Sequence, residues 1–104
     1  MYRQGDVLII PVVSIILDAE PIPRENSRIV LAHGEVTGHA HAIRSERAAL
    51  FRDPKLAAIF LHVTGDDAVA LEHDEHGTIH VPPGKYRVVR QREYTPEEIR
   101  NVAD

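Results

Sequence analysis

The sequence has no cysteine, no tryptophan and one methionine, and aromatic residues make up only 5% of its 104 positions. Without cysteine there can be no disulfide, thiolate metal site or thiol nucleophile, so a metal would need imidazole and carboxylate ligands, and the chain suits a reducing cytoplasm. The scarcity of aromatics leaves few platforms for stacking bases. With 12 Lys and Arg against 16 Asp and Glu, a formal charge of -4, nothing electrostatic points to nucleic acid or an anionic membrane. Long apolar runs are missing too. The longest, Val7 to Leu17, contains Pro11 and Ser14 and falls short of the roughly 20 residues a spanning helix needs. Asp6 interrupts what would otherwise resemble a signal peptide. Ser14, Ser27 and Ser45 lack the G-x-S-x-G frame and no phosphate-binding glycine loop is present, which argues against serine nucleophiles and nucleotide chemistry.

What is present suits one compact β domain over residues 1–104, with 43% hydrophobic residues to build its core. Val7 to Leu17 reads as buried strand with Pro11 at an edge position or a break, and 18–26 as a charged, proline-bearing loop. Arg28 to His33 predicts a short strand and Gly34 to Gly38 a turn or bulge. Beyond it His39, His41 and Ile43 alternate onto one face. The segment that begins with this alternation runs to Phe51, with Ser45 to Leu50 alternatively a helical turn, and Asp53-Pro54 ends either. Ala57 to Thr64 and Ala68 to His73 predict two strands joined by a hairpin turn at Gly65-Asp66-Asp67, with Val69, Leu71 and His73 on one face. Thr78 to Val81 and Tyr86 to Gln91 flank a turn at Pro82-Pro83-Gly84. Lys85, Arg87, Arg90 and Arg92 read as a solvated edge strand, the alternative being a strip that holds an anionic substrate or a partner's carboxylates. Thr95-Pro96-Glu97-Glu98 has the form of a capping box, predicting a short helix to about Val102. The sum is an all-β fold, a small antiparallel barrel or sandwich with a short C-terminal helix.

All seven histidines fall between positions 33 and 80. His39 and His41 form an H-x-H pair, and residues two apart on a strand project to the same side, so both rings can reach one ion. His73 and His76 form an H-x-x-H pair running into the turn before Gly77, with Asp74 and Glu75 between them available as a ligand, as an orienting group or as mere solvation of the turn. A single histidine on a strand is more often a hydrogen-bonded residue than a ligand, and His33, His62 and His80 are read that way. His80 is the weakest of them, because Ile79 and Val81 look like the inward pair.

Gly34-Glu-Val-Thr-Gly-His39-Ala-His41-Ala-Ile-Arg-Ser-Glu46 resembles the first motif of the cupins, and Gly77 to Gln91, with its P-x-G turn at Pro82 to Gly84, resembles the second. The resemblance covers residues 34–91. It implies a small β-barrel holding a divalent ion, with His39, His41 and Glu46 carried over by motif. The glycine before His39 lies one residue closer than in that family, and no glycine follows Glu46. The second motif's metal histidine falls on Arg87, so another ligand must come from elsewhere, His73 first and His76 next.

Imidazole-rich sites prefer zinc, iron, nickel or copper to magnesium or calcium. The sequence therefore predicts a metal-dependent enzyme that binds a divalent transition metal, zinc or iron, through His39, His41, His73 and His76. Glu35, Glu46 and Glu75 are its candidate proton carriers, and the substrate is a small molecule. Zinc would suit hydration or hydrolysis, such as carbon dioxide hydration, and iron with open positions would suit dioxygen chemistry. The competing readings are a non-catalytic binding domain with a closed four-ligand structural metal and no pocket, and a metal-free histidine cluster sensitive to pH. The apolar Val7 to Leu17 segment is a candidate surface for a homodimer.

Overall fold

A computed structural model describes residues 1–34 and 38–91. Its first element is a tight hairpin. Strands β1 (Tyr2–Gln4) and β2 (Val7–Pro11) pair antiparallel around Gly5-Asp6. Gly5 has φ +60° while Asp6 does not have positive φ, the requirement of a type II′ turn, which favours glycine at its first central position.

The remaining strands are β3 (Glu20–Pro21), β4 (Ile29–His33), β5 (Ala40–Ile43), β6 (Ala48–Arg52), β7 (Ile59–Val63), β8 (Val69–Glu72), β9 (Ile79–Val81) and β10 (Gly84–Arg90). They form two antiparallel sheets, a six-stranded one in the order β1-β2-β10-β7-β6-β3 and a four-stranded one in the order β4-β5-β8-β9. Side chains from both sheets, among them Val7, Ile9, Ile43, Leu61, Leu71 and Val81, make one buried cluster, so the principal core lies between the sheets. Leu8, Ile10 and Val89 form a second buried cluster. No helix among the described residues is long and apolar enough to cross a membrane. The predicted C-terminal helix at 95–102, together with Arg92 and Glu35, lies outside the described residues.

Several local expectations are corrected. Gly65-Asp66-Asp67 does not close a hairpin: β7 lies in the six-stranded sheet and β8 in the other, so the segment is an arch between sheets. Its curvature follows from Arg47, whose guanidinium donates to the carbonyls of Thr64, Asp67 and Ala68 at 2.9, 2.6 and 3.4 Å. Three carbonyls wrapped around one cation leave the flanking strands free to pair elsewhere. Pro82 to Gly84 is a second arch of this kind, tied by the Tyr86 hydroxyl donating to the Pro82 carbonyl at 2.7 Å.

Ser45 to Leu50 is not helical, since its last three residues belong to β6, whose register against β7 buries Ala48 and Leu50. The basic strip is not an edge strand: β10 is paired on both sides, by β2 and β7. Its arginines are accommodated because Arg87 and Arg90 are only partly buried and Lys85 is exposed. The apolar run from Val7 is buried only as far as Ile10; beyond Pro11, Val13 and Leu17 are fully exposed. The proline ends the strand, as expected of a residue with no N–H for the ladder. Since β2 is flanked by β1 and β10, no partner strand can add to it.

Candidate functional site

The β1–β2 turn, the start of β5, the β8–β9 loop and the end of β10 meet around a cavity of about 430 Å³, lined by Gly5, Asp6, Gly34, His39, His41, His73, Glu75, His76 and Arg90. The four histidines singled out by the sequence are thus brought together, and Glu75 joins them. Glu46 is exposed in the turn between β5 and β6 and does not line the cavity.

His41 is the buried member, 2% exposed. Its ring is held by Gln4, equally buried, whose amide nitrogen donates to the carbonyls of Leu71 at 2.8 Å and Gly77 at 3.0 Å. Those two carbonyls fix the amide orientation, because the opposite flip would set an oxygen against two oxygens. The amide oxygen therefore faces the His41 ring and accepts its Nδ1–H at 2.9 Å. It follows that in the neutral ring Nε2 carries no hydrogen and keeps its lone pair. Burial, chiefly, lowers the His41 pKa from 6.5 to about 4; His73, His76 and Arg90 add to the shift and Asp6 opposes it. The ring is therefore neutral at pH 7. Outward from it, Nε2 stands 3.9 Å from Asp6 Oδ1, and Asp6 Oδ2 accepts a hydrogen bond from Arg90 Nη2 at 3.3 Å.

His73 is central to the cluster, with its ring centroid 4.3 Å from His41, 4.7 Å from His76 and 5.9 Å from His39. The His41 and His76 rings lie 5.8 Å apart and nearly parallel. Two imidazoles on one tetrahedral ion, with nitrogens about 2 Å from it, have centroids roughly 5 Å apart. The observed spacings bracket that value. Orientation is a separate matter. His73 Nδ1 accepts the Glu75 backbone N–H at 3.0 Å, which in the neutral ring puts the hydrogen on Nε2. His39 lies between two carboxylates, Nε2 at 3.5 Å from Asp74 and Nδ1 at 3.4 Å from Glu75. Among the described residues no group of three or more acidic or histidine side chains is already arranged around a common point as a metal would require. His41 has a ring nitrogen prepared to coordinate; His73 would have to exchange its tautomer and release the Glu75 N–H first.

The remaining histidines stay outside. His80 is exposed on β9 between half-buried Ile79 and buried Val81, as its alternation predicts; His33 is exposed and 3.4 Å from Glu25; His62 is half-buried in β7. Gln4 and Asp6 are residues at the cavity that the sequence does not single out, and it marks Arg90 only as one of a basic strip. The one local signal was the Gly-Asp pair between two strand-like segments, a hairpin signal in its own right. Nothing local placed that hairpin beside residues some 35 to 85 positions away.

Comparison with known proteins adds a family. The family model of a domain of unknown function, DUF8820, matches residues 3–91, which include every described residue of the cavity. No curated protein and no solved structure matches the chain.

Proposed function

Since the chain belongs to the DUF8820 family, a domain of unknown function, we propose that its histidine cavity binds a divalent transition metal, zinc or iron, and serves a metal-dependent reaction on a small molecule. The observation that carries the reading is the Gln4–His41 pair. A buried imidazole that donates its Nδ1–H to a fixed acceptor, leaving Nε2 unprotonated toward a cavity, has the outer-shell arrangement common to metal-ligating histidines. The His41, His73 and His76 rings have centroids 4.3, 4.7 and 5.8 Å apart, and His39 and Glu75 line the same cavity. Small side-chain rotations and the His73 tautomer exchange would complete the shell.

The cavity favours an open site over a closed structural one. A closed four-ligand shell needs no space beside it, whereas about 430 Å³ next to the rings is room for a small molecule. When bound, the ion would supply Lewis acidity, which suits hydration or hydrolysis such as that of carbon dioxide, or with iron, dioxygen chemistry. Glu75 lines the cavity and is the candidate we retain as proton carrier; Glu46 does not line it. The reading keeps a cupin-like, barrel-related build, supported by two antiparallel sheets joined by arches and by His41 of β5, with His39 just before that strand, lining the cavity; a cytoplasmic setting is kept with it.

The direct test is metal content per chain by plasma mass spectrometry on untagged protein, wild type against the double variant His39→Ala, His41→Ala. Near-stoichiometric transition metal in the wild type and its loss in the variant is the expected result. A wild type that stays metal-free after incubation with zinc, iron and nickel would sink the reading.

A homodimer is part of the same proposal, formed through the apolar residues Val13, Ile16 and Leu17 rather than through β2. Gel filtration should give twice the 11.6 kDa chain mass, shifting to the monomer in Leu17→Glu. A wild type that elutes as a monomer at every concentration ends this part of it.

A further inference from the structure

We propose that the recess between the Asn26-Ser27 turn and Arg44 binds a phosphate group, either free phosphate or the phosphate of a small phosphorylated molecule. The site shares no lining residue with the histidine cavity and is independent of the metal reading.

Two like charges face each other at the end of the β4–β5 pair. Ile29 lies opposite Ile43, and the next residue outward on each chain is an arginine, Arg28 and Arg44. Like charges directly opposite on an antiparallel pair repel. Little offsets that repulsion here. Glu72 reaches Arg44 Nε at 3.7 Å, with both side chains exposed, and the half-buried Arg28 guanidinium makes no hydrogen bond or ion pair among the described residues. Glu25, three residues before Arg28, stands 3.4 Å from His33 instead. An anion seated between the two guanidiniums would replace one repulsive contact by two attractive ones.

A third arginine adds to the field. Arg24 Nη2 donates to the carbonyls of Ser27, Arg44 and Ser45 at 3.1, 3.0 and 3.2 Å, and its Nη1 donates to that of Ala48 at 3.1 Å. Carbonyls are neutral acceptors, so these bonds fasten both sides of the recess to one cation and leave its charge uncancelled. Among the described residues, Glu72 alone comes within ion-pair distance of any of the three arginines. Positive charge is therefore concentrated here on a chain whose formal charge is -4. A dianion such as phosphate matches that surplus better than a single carboxylate does.

The turn itself supplies the remaining polar groups. Glu25 and Arg28 exchange backbone hydrogen bonds of 2.8 and 3.2 Å across Asn26 and Ser27, whose φ angles are 53° and 64°. Two central residues in the left-handed region make a type I′ turn, which favours glycine at the second position. Serine stands there instead, and its hydroxyl and the Asn26 amide hydrogen-bond to none of the described residues. Asn26, Ser27, Arg28 and Arg44 line a recess of about 500 Å³, room for a phosphate carrying a small organic group.

Inorganic phosphate and glycerol phosphate are the probes, titrated into 15N-labelled protein in about 0.15 M potassium chloride to screen diffuse attraction. Saturable shifts of the Asn26, Ser27 and Arg28 amide signals and of the Arg28 and Arg44 Nε–H signals are expected. Affinity should fall about tenfold or more in Arg28→Gln and in Arg44→Gln, and stay unchanged in Lys55→Gln, which removes the same charge from an exposed loop elsewhere. Without phosphate, Arg28→Gln should melt no lower than wild type because it relieves the repulsion, so weaker binding is not misfolding. Tighter binding of glycerol phosphate assigns the site to a phosphorylated molecule, and tighter binding of inorganic phosphate assigns it to the free ion. A wild type without saturable shifts at millimolar concentrations of either probe, or arginine variants that bind as tightly as wild type, overturns the proposal and leaves the metal reading untouched.

Discussion

Replacing Gln4 with methionine is expected to lower the melting temperature by roughly 10–20 °C, corresponding to a loss of about 2–3 kcal/mol. The side chain is buried at 2% exposure and makes three hydrogen bonds across long sequence separations, to Leu71, Gly77 and His41. Methionine keeps the volume and removes all three. The cost comes less from the lost bonds than from the group left behind, since the buried His41 Nδ1 would lose its polar partner in the core. A second effect accompanies the first. Freed from Gln4, the His41 ring can move its proton to Nε2 and donate it to Asp6, which removes the lone pair a metal needs. Metal affinity should then fall by about 10–100-fold, the usual effect of losing an outer-shell partner. Thermal melts of the metal-free protein and zinc titration of the folded variant measure the two separately. A Gln4→Met protein that melts within about 2 °C of wild type would show that the buried polar triad does not organise this end of the fold.

Acid should destabilise the metal-free protein well above the range in which carboxylates titrate, and His41 is the reason. In the unfolded chain this ring takes up a proton near its ordinary pKa of 6.5, whereas in the fold burial and its neighbours hold it back until about 4. Between those values the unfolded state binds the extra proton, so stability rises with pH across the window. The contribution is complete above pH 6.5, declines as the pH falls, and is exhausted near 4, where the folded ring protonates as well. The lowered pKa corresponds to about 3 kcal/mol at most. Carboxylates contribute acid sensitivity of their own at the lower end, so the comparison that isolates His41 is with His41→Asn. Urea denaturation at a series of pH values should show wild type losing stability from pH 6.5 to 4 with a slope near one proton, and the variant losing much less between 6.5 and 5. Parallel curves for the two proteins would mean that His41 is not held neutral by the fold.

These expectations were not equally readable along the chain. The H-x-H pair, the H-x-x-H pair and the clustering of histidines are local patterns, and the cavity collects those four side chains. His39 and His41 nevertheless have different surroundings, because β5 begins at Ala40 and only His41 is fixed by the strand. His41 is buried on Gln4, while His39 stands half-exposed among the carboxylates of Asp74 and Glu75. The basic residues of β10 were misread for a similar reason. Charge suggests an edge, yet the strand is central and Arg90 is committed to Asp6.

By itself the sequence determined that the chain is β-rich and where most of its strands lie, and it marked the four histidines that line one cavity. Alternating burial, turn residues and ligand spacing act over two to ten residues and are written locally. Tertiary structure alone decided which sheet each strand joins. Gly65-Asp66-Asp67 looks like a hairpin turn and Pro82-Pro83-Gly84 like a turn, and whether such segments close a hairpin or arch between sheets depends on distant competition for strand edges and on ties such as Arg47 and Tyr86. It also decided the chemistry of the site. Gln4 fixes the proton on His41 from 37 positions away, and Arg90 holds Asp6 from 84 positions away. A proton's place on an imidazole depends on what the other ring nitrogen meets, and that exists only once the two sheets have packed.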